Sequence, residues 1–439
     1  MLVLLVAVIS LLGIILGKLL FRKWVNHLTL YCFVMGGLIF LYELKLLPYH
    51  DIIPEAWFFI IGSSISFLLG ILTIISARNL FPSAQLLDSL KREITLRIFA
   101  DNGKTLKYTV LFFSFIGLFV AVQRWYVLIN LFGSIPGVLA NAAIVYRLNV
   151  HREIKEFIPI LPYFVYVAVF FSGIYTAYKG RFSYITFLPF IGIILKELTY
   201  FGRGEMLFSL MEFSFSFFLF RHLLSEDPSK RFRFSRANAF FAATLLVLLM
   251  VVSASLIRVS RGSYENYRGA SKELKQLEEN FIISPSIYLY LSSDIGVFSK
   301  YIEKGEESAK FGQNTFLIVY EFLSRLNVVE KPNVFQKGYF IPMWTNTGTY
   351  IRELHADFGV IGVFLVPFLL GLLITWLWFK FYEEKSLVVF TFLVYLYVVV
   401  GFSFLVMSSR LNQWFMSQIL IVLFIPILEK IATRGRLNS

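Results

Sequence analysis

Residues 358–379 read FGVIGVFLVPFLLGLLITWLWF, a run of 22 residues without a charged side chain. A helix of about 20 apolar residues crosses the roughly 30 Å hydrocarbon core of a bilayer. The apolar residues are continuous rather than alternating, which favours a helix over a strand of a membrane barrel. This stretch therefore predicts a transmembrane helix.

Similar apolar runs recur along the whole chain. Hydrophobic residues make up 57% of the 439 residues, charged residues make up 16%, and the mean hydropathy is +0.71. A water-soluble domain of this length needs more polar surface. The pattern predicts an all-α polytopic membrane protein with about eleven transmembrane helices. The predicted spans lie near 2–17, 28–43, 57–76, 108–123, 158–178, 183–199, 206–222, 238–257, 358–379, 388–405 and 417–428.

Basic residues are distributed unevenly between alternate loops. One set of loops is rich in Lys and Arg, as in 77–107, whereas the other short loops hold only Lys45, Arg203 and Arg410. Because basic loops stay in the cytoplasm, the N-terminus is expected outside and the C-terminus inside. The same excess of basic residues in cytoplasmic loops accounts for the net charge of +13, so this charge does not require a nucleic-acid partner. The first helix lacks a basic start and a cleavage site, so we expect it to be retained.

The predicted spans divide the chain into three regions. Residues 1–257 hold the first eight spans, 258–357 form a large outer loop, and 358–439 hold three spans and a short basic tail. The outer loop is expected to begin with a helix and to continue as irregular loop over 331–350.

The apolar segment 126–146 is interrupted by Gly133, Pro136 and Gly137. If it spanned the membrane, the basic 77–107 loop would move outside, against the charge rule. A re-entrant or interfacial segment on the outer side is therefore favoured, since broken backbone at membrane depth is tolerated where protein covers it. A full crossing remains the alternative.

Arginines are frequent on the predicted outer side. A single arginine at a helix end commonly anchors in the lipid headgroups. As a set they predict an anionic ligand, because the planar guanidinium matches phosphate oxygens, and a lipid diphosphate is the natural class. The set is Arg124, Arg147, Arg152, Arg203, Arg258, Arg261, Arg268, Arg352 and Arg410.

Two outer segments gather ionisable residues. In the first, Glu205 and Glu212 share a helix face, as do Lys196 and Arg203 if that helix continues so far. Charges at such depth are functional or mutually paired, and an internal ion pair is the structural alternative.

The second segment is the end of the outer loop. There Arg352 and His355 are spaced i, i+3, while Glu353 and Asp357 are spaced i, i+4. A cation beside a histidine suits general-base catalysis next to phosphate. A solvated, capped helix start is the alternative. We expect Gly359 and Gly362, which follow, to allow close approach to another helix.

Several motifs are missing from the sequence. It contains no P-loop, GxGxxG, HExxH, paired CxxC or DxD motif, and its one cysteine is Cys32. ATP-driven transport within the chain, metalloprotease chemistry and use of a soluble nucleotide-sugar donor lose support. We expect neither a metal nor a cofactor.

The turn Gly202-Arg203-Gly204-Glu205 and the stretch NTGTYIRELHADFGVIGVFLVPFLLG (346–371) resemble oligosaccharide repeat-unit polymerases of the Wzy type. The layout of spans and the large outer loop are similar too. Related O-antigen ligases carry a histidine before a Glu-x-Gly-x-x-Gly motif. Here Asp357 replaces that glutamate and 345–350 holds no histidine, so the ligase role does not carry over and a polymerase is favoured.

The resemblance implies a metal-independent glycosyltransferase of the bacterial inner membrane, which makes O-antigen, capsule or exopolysaccharide. Its substrates would be polyprenyl-diphosphate-linked oligosaccharides, and a flippase and a chain-length regulator would be its candidate partners, beside membrane lipids. Under this hypothesis Arg203, Arg352 and Arg410 hold the leaving diphosphate.

Under the same hypothesis Arg124 and Arg147 position a second lipid diphosphate. Glu205, His355 or Glu353 takes the proton of the acceptor hydroxyl. A lipid-linked oligosaccharide flippase or other transporter and an O-antigen ligase remain the alternatives. A purely structural membrane protein is a weaker one, because it leaves the charged 203–205 turn unexplained.

Overall fold

The computed structural model describes residues 2–80, 97–150, 153–154, 158, 160–202, 204–225, 270–280, 285–305, 309–332 and 336–437. These residues are mostly helical. The helices are α1 (Leu2–Phe21), α2 (His27–Glu43), α3 (Pro54–Leu80), α4 (Lys104–Phe132), α5 (Ile135–Ala140), α6 (Ala142–Val150), α7 (Tyr163–Lys179), α8 (Tyr184–Tyr200), α9 (Gly204–Ser225), α10 (Lys272–Glu279), α11 (Pro285–Ser292), α12 (Asp294–Lys304), α13 (Leu317–Arg325), α14 (Tyr350–Glu384), α15 (Leu387–Phe402) and α16 (Asn412–Leu437).

Within the described ranges, six helices are long and apolar enough to cross a membrane. They are α1, α3, α4, α9, α14 and α16, and two shorter helices, α2 and α15, are also apolar. Each predicted span overlaps a described helix except 238–257, which lies outside the described residues. The predicted class, a helical membrane protein, is thereby confirmed.

The described residues fall into two compact units. The first takes its residues from Met1–Arg92, Asn266–Glu383 and Leu396–Asn412. The second takes its residues from Glu93–Glu265, Glu384–Tyr395 and Gln413–Ser439. These units group residues by contact, whereas the three regions predicted from sequence divide the chain by membrane topology.

In the first unit, α3 and α14 approach until their backbones touch. A Cβ added to Gly70 would lie 2.0 Å from the carbonyl oxygen of Phe368, and one added to Gly371 would lie 2.2 Å from that of Phe67. Only glycine fits at such a crossing, as at other close contacts between membrane helices. These two glycines allow α3 and α14 to pack with their backbones in contact.

Gly359 interrupts α14 with φ 62° and ψ −152°, a backbone conformation that only glycine adopts readily. Because the chain turns there, a Cβ on Gly362 would lie 2.5 Å from Cβ of Phe358 and 2.7 Å from the carbonyl oxygen of Leu354. Among the described residues no atom lies within 4 Å of a Cβ at Gly359, so the predicted close approach of Gly359 to another helix is wrong. Gly362 does lie close to another helical segment, namely the part of α14 before the turn, through Leu354 and Phe358.

Replacing Gly359 by alanine is expected to destabilise the protein by about 1–3 kcal/mol, because the side chain is strained at this φ and ψ. Gly37 is the matched control: it lies inside α2, and a Cβ there would meet nothing within 4 Å. Gly37→Ala should be neutral or slightly stabilising. The measurement is the unfolding midpoint of each purified variant in detergent. Equal midpoints for the two variants would contradict the strained turn.

In the second unit, α4, α7, α8 and α9 pack together, and α7 is buried from Val165 to Ala177. Helix α4 runs to Phe132 and ends at Gly133, where φ is 81°. Residues 126–132 therefore continue α4, and the predicted interruption of 126–146 falls at Gly133, followed by the short α5 and α6. The re-entrant placement stays a prediction.

The predicted outer loop contains helices α10 to α13 within the described residues. Helix α10 begins after Ser271, whose hydroxyl accepts a hydrogen bond from the N–H of Leu274. The stretch predicted as irregular loop holds a small hairpin, β1 (Tyr339–Phe340) and β2 (Trp344–Thr345), paired antiparallel. The hairpin and the N-terminal part of α12 contribute to the site below.

Candidate functional site

A buried ion pair joins the start of α14 to the turn before α16 in the first unit. Arg410 Nη1 lies 2.5 Å from Glu353 Oε1, and the two side chains are only 5% and 1% exposed. The backbone N–H of Met407 donates to the other oxygen of Glu353. The structure thus brings together two of the predicted site residues, which are 57 positions apart in sequence.

Arg352 lies in an enclosure of aromatic rings. Its guanidinium carbon is 5.2 Å from the ring centre of Tyr339 and 5.5 Å from that of Tyr301, within the range of cation–π attraction. Nη2 donates to the carbonyl oxygen of Lys337 at 2.7 Å. A Cβ on Gly348 would lie 2.9 Å from Cδ of Arg352, so glycine makes room for the side chain. The guanidinium group of Arg352 is therefore buried, and these contacts fix its orientation.

His355 lies one turn further along α14, on the same strip as Arg352. Its Nδ1 is 2.9 Å from the hydroxyl oxygen of Tyr301, and its ring packs edge-on against Phe59. The rings of His355, Tyr301 and Phe59 line a partly open cavity of about 200 Å³, together with Ile302 and Gly305. The predicted i, i+3 relation of Arg352 and His355 is confirmed, because both contact Tyr301.

Asp357 has a structural task. Its carboxylate accepts four hydrogen bonds of 2.7–2.9 Å from the backbone and side chains of Asn314 and Thr315. Glu353 and Asp357 lie one turn apart on the helix, as predicted, but Glu353 contacts Arg410 rather than Asp357. The alternative of a solvated helix start is wrong, since residues 350–354 are all buried.

Asp294, the first residue of α12, is a buried carboxyl that the sequence reasoning missed. Burial raises the pKa of Asp294 well above its usual range, although Thr347 and the charge of Arg352 act in the opposite direction. A lone aspartate in a polar loop sequence gives no sign of burial. Asp294 adds a carboxyl group close to Arg352.

The second unit holds its own buried ion pair, around Lys196. Its Nζ lies 2.6 Å from Glu205 Oε2 and 3.1 Å from Gln413 Oε1, and the lysine is fully buried. The ring centres of Tyr166 and Tyr200 lie 5.5 and 5.4 Å from the ammonium. Lys196 therefore compensates the predicted site residue Glu205.

Glu197 is a second carboxyl in this cluster, and the sequence reasoning did not single it out. It is buried and lies close to Glu205. A Cβ on Gly202 would lie 3.1 Å from Glu197 Oε2. The signal was a charged Lys-Glu pair inside an apolar helix.

Arg124 is buried in the same unit. Its Nε donates to Thr199 Oγ1 at 2.9 Å and its Nη2 to Asn149 Oδ1 at 2.6 Å. The guanidinium stacks 3.5 Å from the ring centre of Tyr200. Arg147, by contrast, is exposed on α6, so these two predicted ligands of one diphosphate differ in their surroundings.

Two other predictions of the sequence have definite outcomes. Helix α8 ends at Tyr200 with Phe201 in the left-handed conformation, so it does not continue to Arg203. Glu212 is buried and accepts a hydrogen bond from the Gln418 amide at 2.8 Å, rather than forming an ion pair. The remaining residues of the arginine set lie outside the described residues, namely Arg152, Arg203, Arg258, Arg261 and Arg268.

No protein-family model matches this chain, and neither curated proteins nor solved structures provide a match. In the part of the chain that the structure describes, no three His, Cys, Asp or Glu side chains come together as metal ligands. The first unit places Arg410 against the carboxylate of Glu353, and Arg352 precedes Glu353 in the helix and lies near the Asp294 carboxyl group. Such a site can attract an anionic group, and His355 can exchange a proton beside it.

Proposed function

We propose that this chain polymerises polyprenyl-diphosphate-linked oligosaccharide repeat units on the outer face of the bacterial inner membrane. The observation that supports this best is the buried Arg352–Glu353–Arg410 cluster, linked through Tyr301 to the cavity at His355. It combines fixed positive charge with a histidine, which is what transfer from a lipid diphosphate requires.

The proposal includes the membrane arrangement expected from the sequence. About eleven helices cross the bilayer, with the N-terminus outside, and the 258–357 loop lies on the outer side. In that arrangement Glu353 and Arg410 both lie at outer helix ends. A substrate anchored in the outer leaflet by its prenyl chain would then present its diphosphate at the depth of these arginines.

The reaction moves the growing chain onto a fresh repeat unit. The acceptor hydroxyl attacks the anomeric carbon of the donor sugar, and the bond from that carbon to the diphosphate oxygen breaks, so the diphosphate leaves with the electron pair. Arg352 and Arg410 stabilise its charge. In the tautomer whose Nδ1–H donates to the Tyr301 hydroxyl, Nε2 of His355 is left to take the acceptor proton. In the second unit, Arg124, Arg147 and the Lys196–Glu205 pair serve the other lipid diphosphate.

The test is genetic. Deleting the gene in the producing bacterium should remove the long-chain ladder from a gel of surface polysaccharide while single repeats are still displayed. Complementation with the wild-type gene should restore the ladder, whereas His355→Gln, or Arg203→Ala with Arg352→Ala, should not. The level of each variant in the membrane is measured alongside, so that misfolding is recognised.

Arg78→Ala is the matched control, because Arg78 pairs with Glu383 near the other ends of α3 and α14. It should restore the ladder. Loss of all surface sugar on deletion would indicate a flippase or a ligase instead. A ladder made by the double arginine variant would remove both arginines from the site.

A further inference from the structure

Helix α13 in the outer loop turns its polar side inward and its apolar side outward. Val319, Phe322 and Leu326 recur at a spacing of three and four residues and are 50%, 60% and 58% exposed. On the opposite side Leu317 and Glu321 are buried, and the carboxylate of Glu321 accepts a hydrogen bond from the Asn412 amide at 2.7 Å.

A surface helix of a water-soluble protein shows the reverse pattern, with charged residues on its outer side and an apolar stripe facing the protein interior. The residues on either side of α13 extend its apolar surface, because Phe311, Phe316 and Val328 are exposed as well. A continuous apolar patch of this kind marks contact with a membrane or with another protein.

The position of this patch relative to α14 is fixed by several contacts. Asp357 holds Asn314 and Thr315 through the four hydrogen bonds described above. The ring of Phe311 packs edge-on against Phe358 at 5.0 Å between centres. The patch therefore lies beside the last residues before the turn at Gly359.

The patch adjoins the apolar run of α14 through the contact of Phe311 with Phe358. Val360 and Ile361, directly after the Gly359 turn, are exposed and begin the stretch predicted to cross the membrane. Leu365 and Leu369 of the same helix are exposed as well. In a helix that spans the membrane, such exposed side chains contact the acyl chains of the lipids. The contact with this surface favours lipid, rather than a protein, as the partner of the patch.

Charged residues lie at the margins of the patch. Lys310 Nζ is 3.1 Å from Glu330 Oε2, which joins the two ends of the segment by an exposed pair. Arg325, at the end of α13, is exposed too. An apolar centre with charges at its edge is the pattern of an element that lies in the membrane interface.

We propose that residues 311–328 are embedded in the outer leaflet, with Phe316, Val319, Phe322 and Leu326 among the acyl chains. The segment would form part of the lipid-facing wall of the first unit. This proposal goes beyond the polymerase proposal and does not depend on it, since it concerns only where the segment lies.

The test uses the full chain in vesicles of phosphatidylethanolamine and phosphatidylglycerol. Single cysteines are introduced by Val319→Cys or Phe322→Cys in a Cys32→Ala background and labelled with the fluorophore NBD. Quenching is measured with nitroxide-labelled phospholipid and, separately, with iodide in the water. Leu369→Cys on α14 is the lipid-facing control, and Gln276→Cys on the exposed face of α10 is the water-facing control.

Labels at 319 and 322 should behave like the label at 369, with blue-shifted emission, strong quenching by the nitroxide lipid and little quenching by iodide. Behaviour like the label at 276 would overturn the proposal in favour of a water-exposed surface. Protection from both quenchers, together with a disulfide between two chains through Phe322→Cys, would overturn it in favour of an interface between copies.

Discussion

Replacing Arg410 by alanine is expected to destabilise the protein by about 3–5 kcal/mol, the usual effect of removing one partner of a buried ion pair. The reason is that Glu353 would lose the cation it contacts in the interior, while among the described residues the N–H of Met407 stays hydrogen-bonded to it. The unfolding midpoint in detergent should fall sharply. An unchanged midpoint would mean that the pair is not buried as described.

A double variant separates this structural effect from a role in the site. Glu353→Leu with Arg410→Met removes both charges and fills the space with apolar groups, a change that is often neutral or even stabilising. We expect the midpoint to recover in this variant. If Arg410 holds the leaving diphosphate, the polysaccharide ladder stays absent although the protein is stable. A ladder made by the stable double variant would confine Arg410 to a structural role.

Replacing Lys196 by methionine is expected to have an effect of similar size, about 3–5 kcal/mol. Lys196 is fully buried and is the cation in contact with Glu205, while Glu197 lies close by, so its loss leaves two carboxyl groups facing each other. The measurement is again the unfolding midpoint of the purified variant.

The exposed pair of Lys300 and Glu303 provides the control for this second prediction. Its atoms are 2.5 Å apart, as close as those of the buried pairs, but both side chains reach water. Lys300→Met should leave the midpoint almost unchanged, because exposed pairs contribute little. Adding Glu205→Gln to Lys196→Met should recover part of the lost stability. Equal midpoints for Lys196→Met and Lys300→Met would contradict the burial of Lys196.

The helices were predictable because their signal is local. A run such as 358–379 shows its apolar character without reference to any other part of the chain. The interruption at Gly133 is local in the same sense. The common helix strip of Arg352 and His355 was predictable as well, since a helix fixes their relation.

Contacts between distant segments were not predictable. The partner of Glu353 is Arg410, 57 positions away, and spacing along one helix cannot show a partner on a distant segment. The sequence around Asp294 gave no sign of its burial, whereas Glu197 was missed although it lies in an apolar helix. The role of Gly359 was not predicted correctly because the turn of α14 at this residue, and with it the φ and ψ angles of Gly359, cannot be seen in the sequence.

The hydrogen bonds to Asp357 also bear on how the protein is made. Thr315 is translated 42 residues before Asp357, which at about 5–20 residues per second is an interval of roughly 2–8 s. During that time the apolar residues of 311–328 have left the ribosome without the anchor that later holds them. A segment with affinity for the bilayer surface can wait there, shielded from aggregation, until the following helix is inserted and completes the attachment.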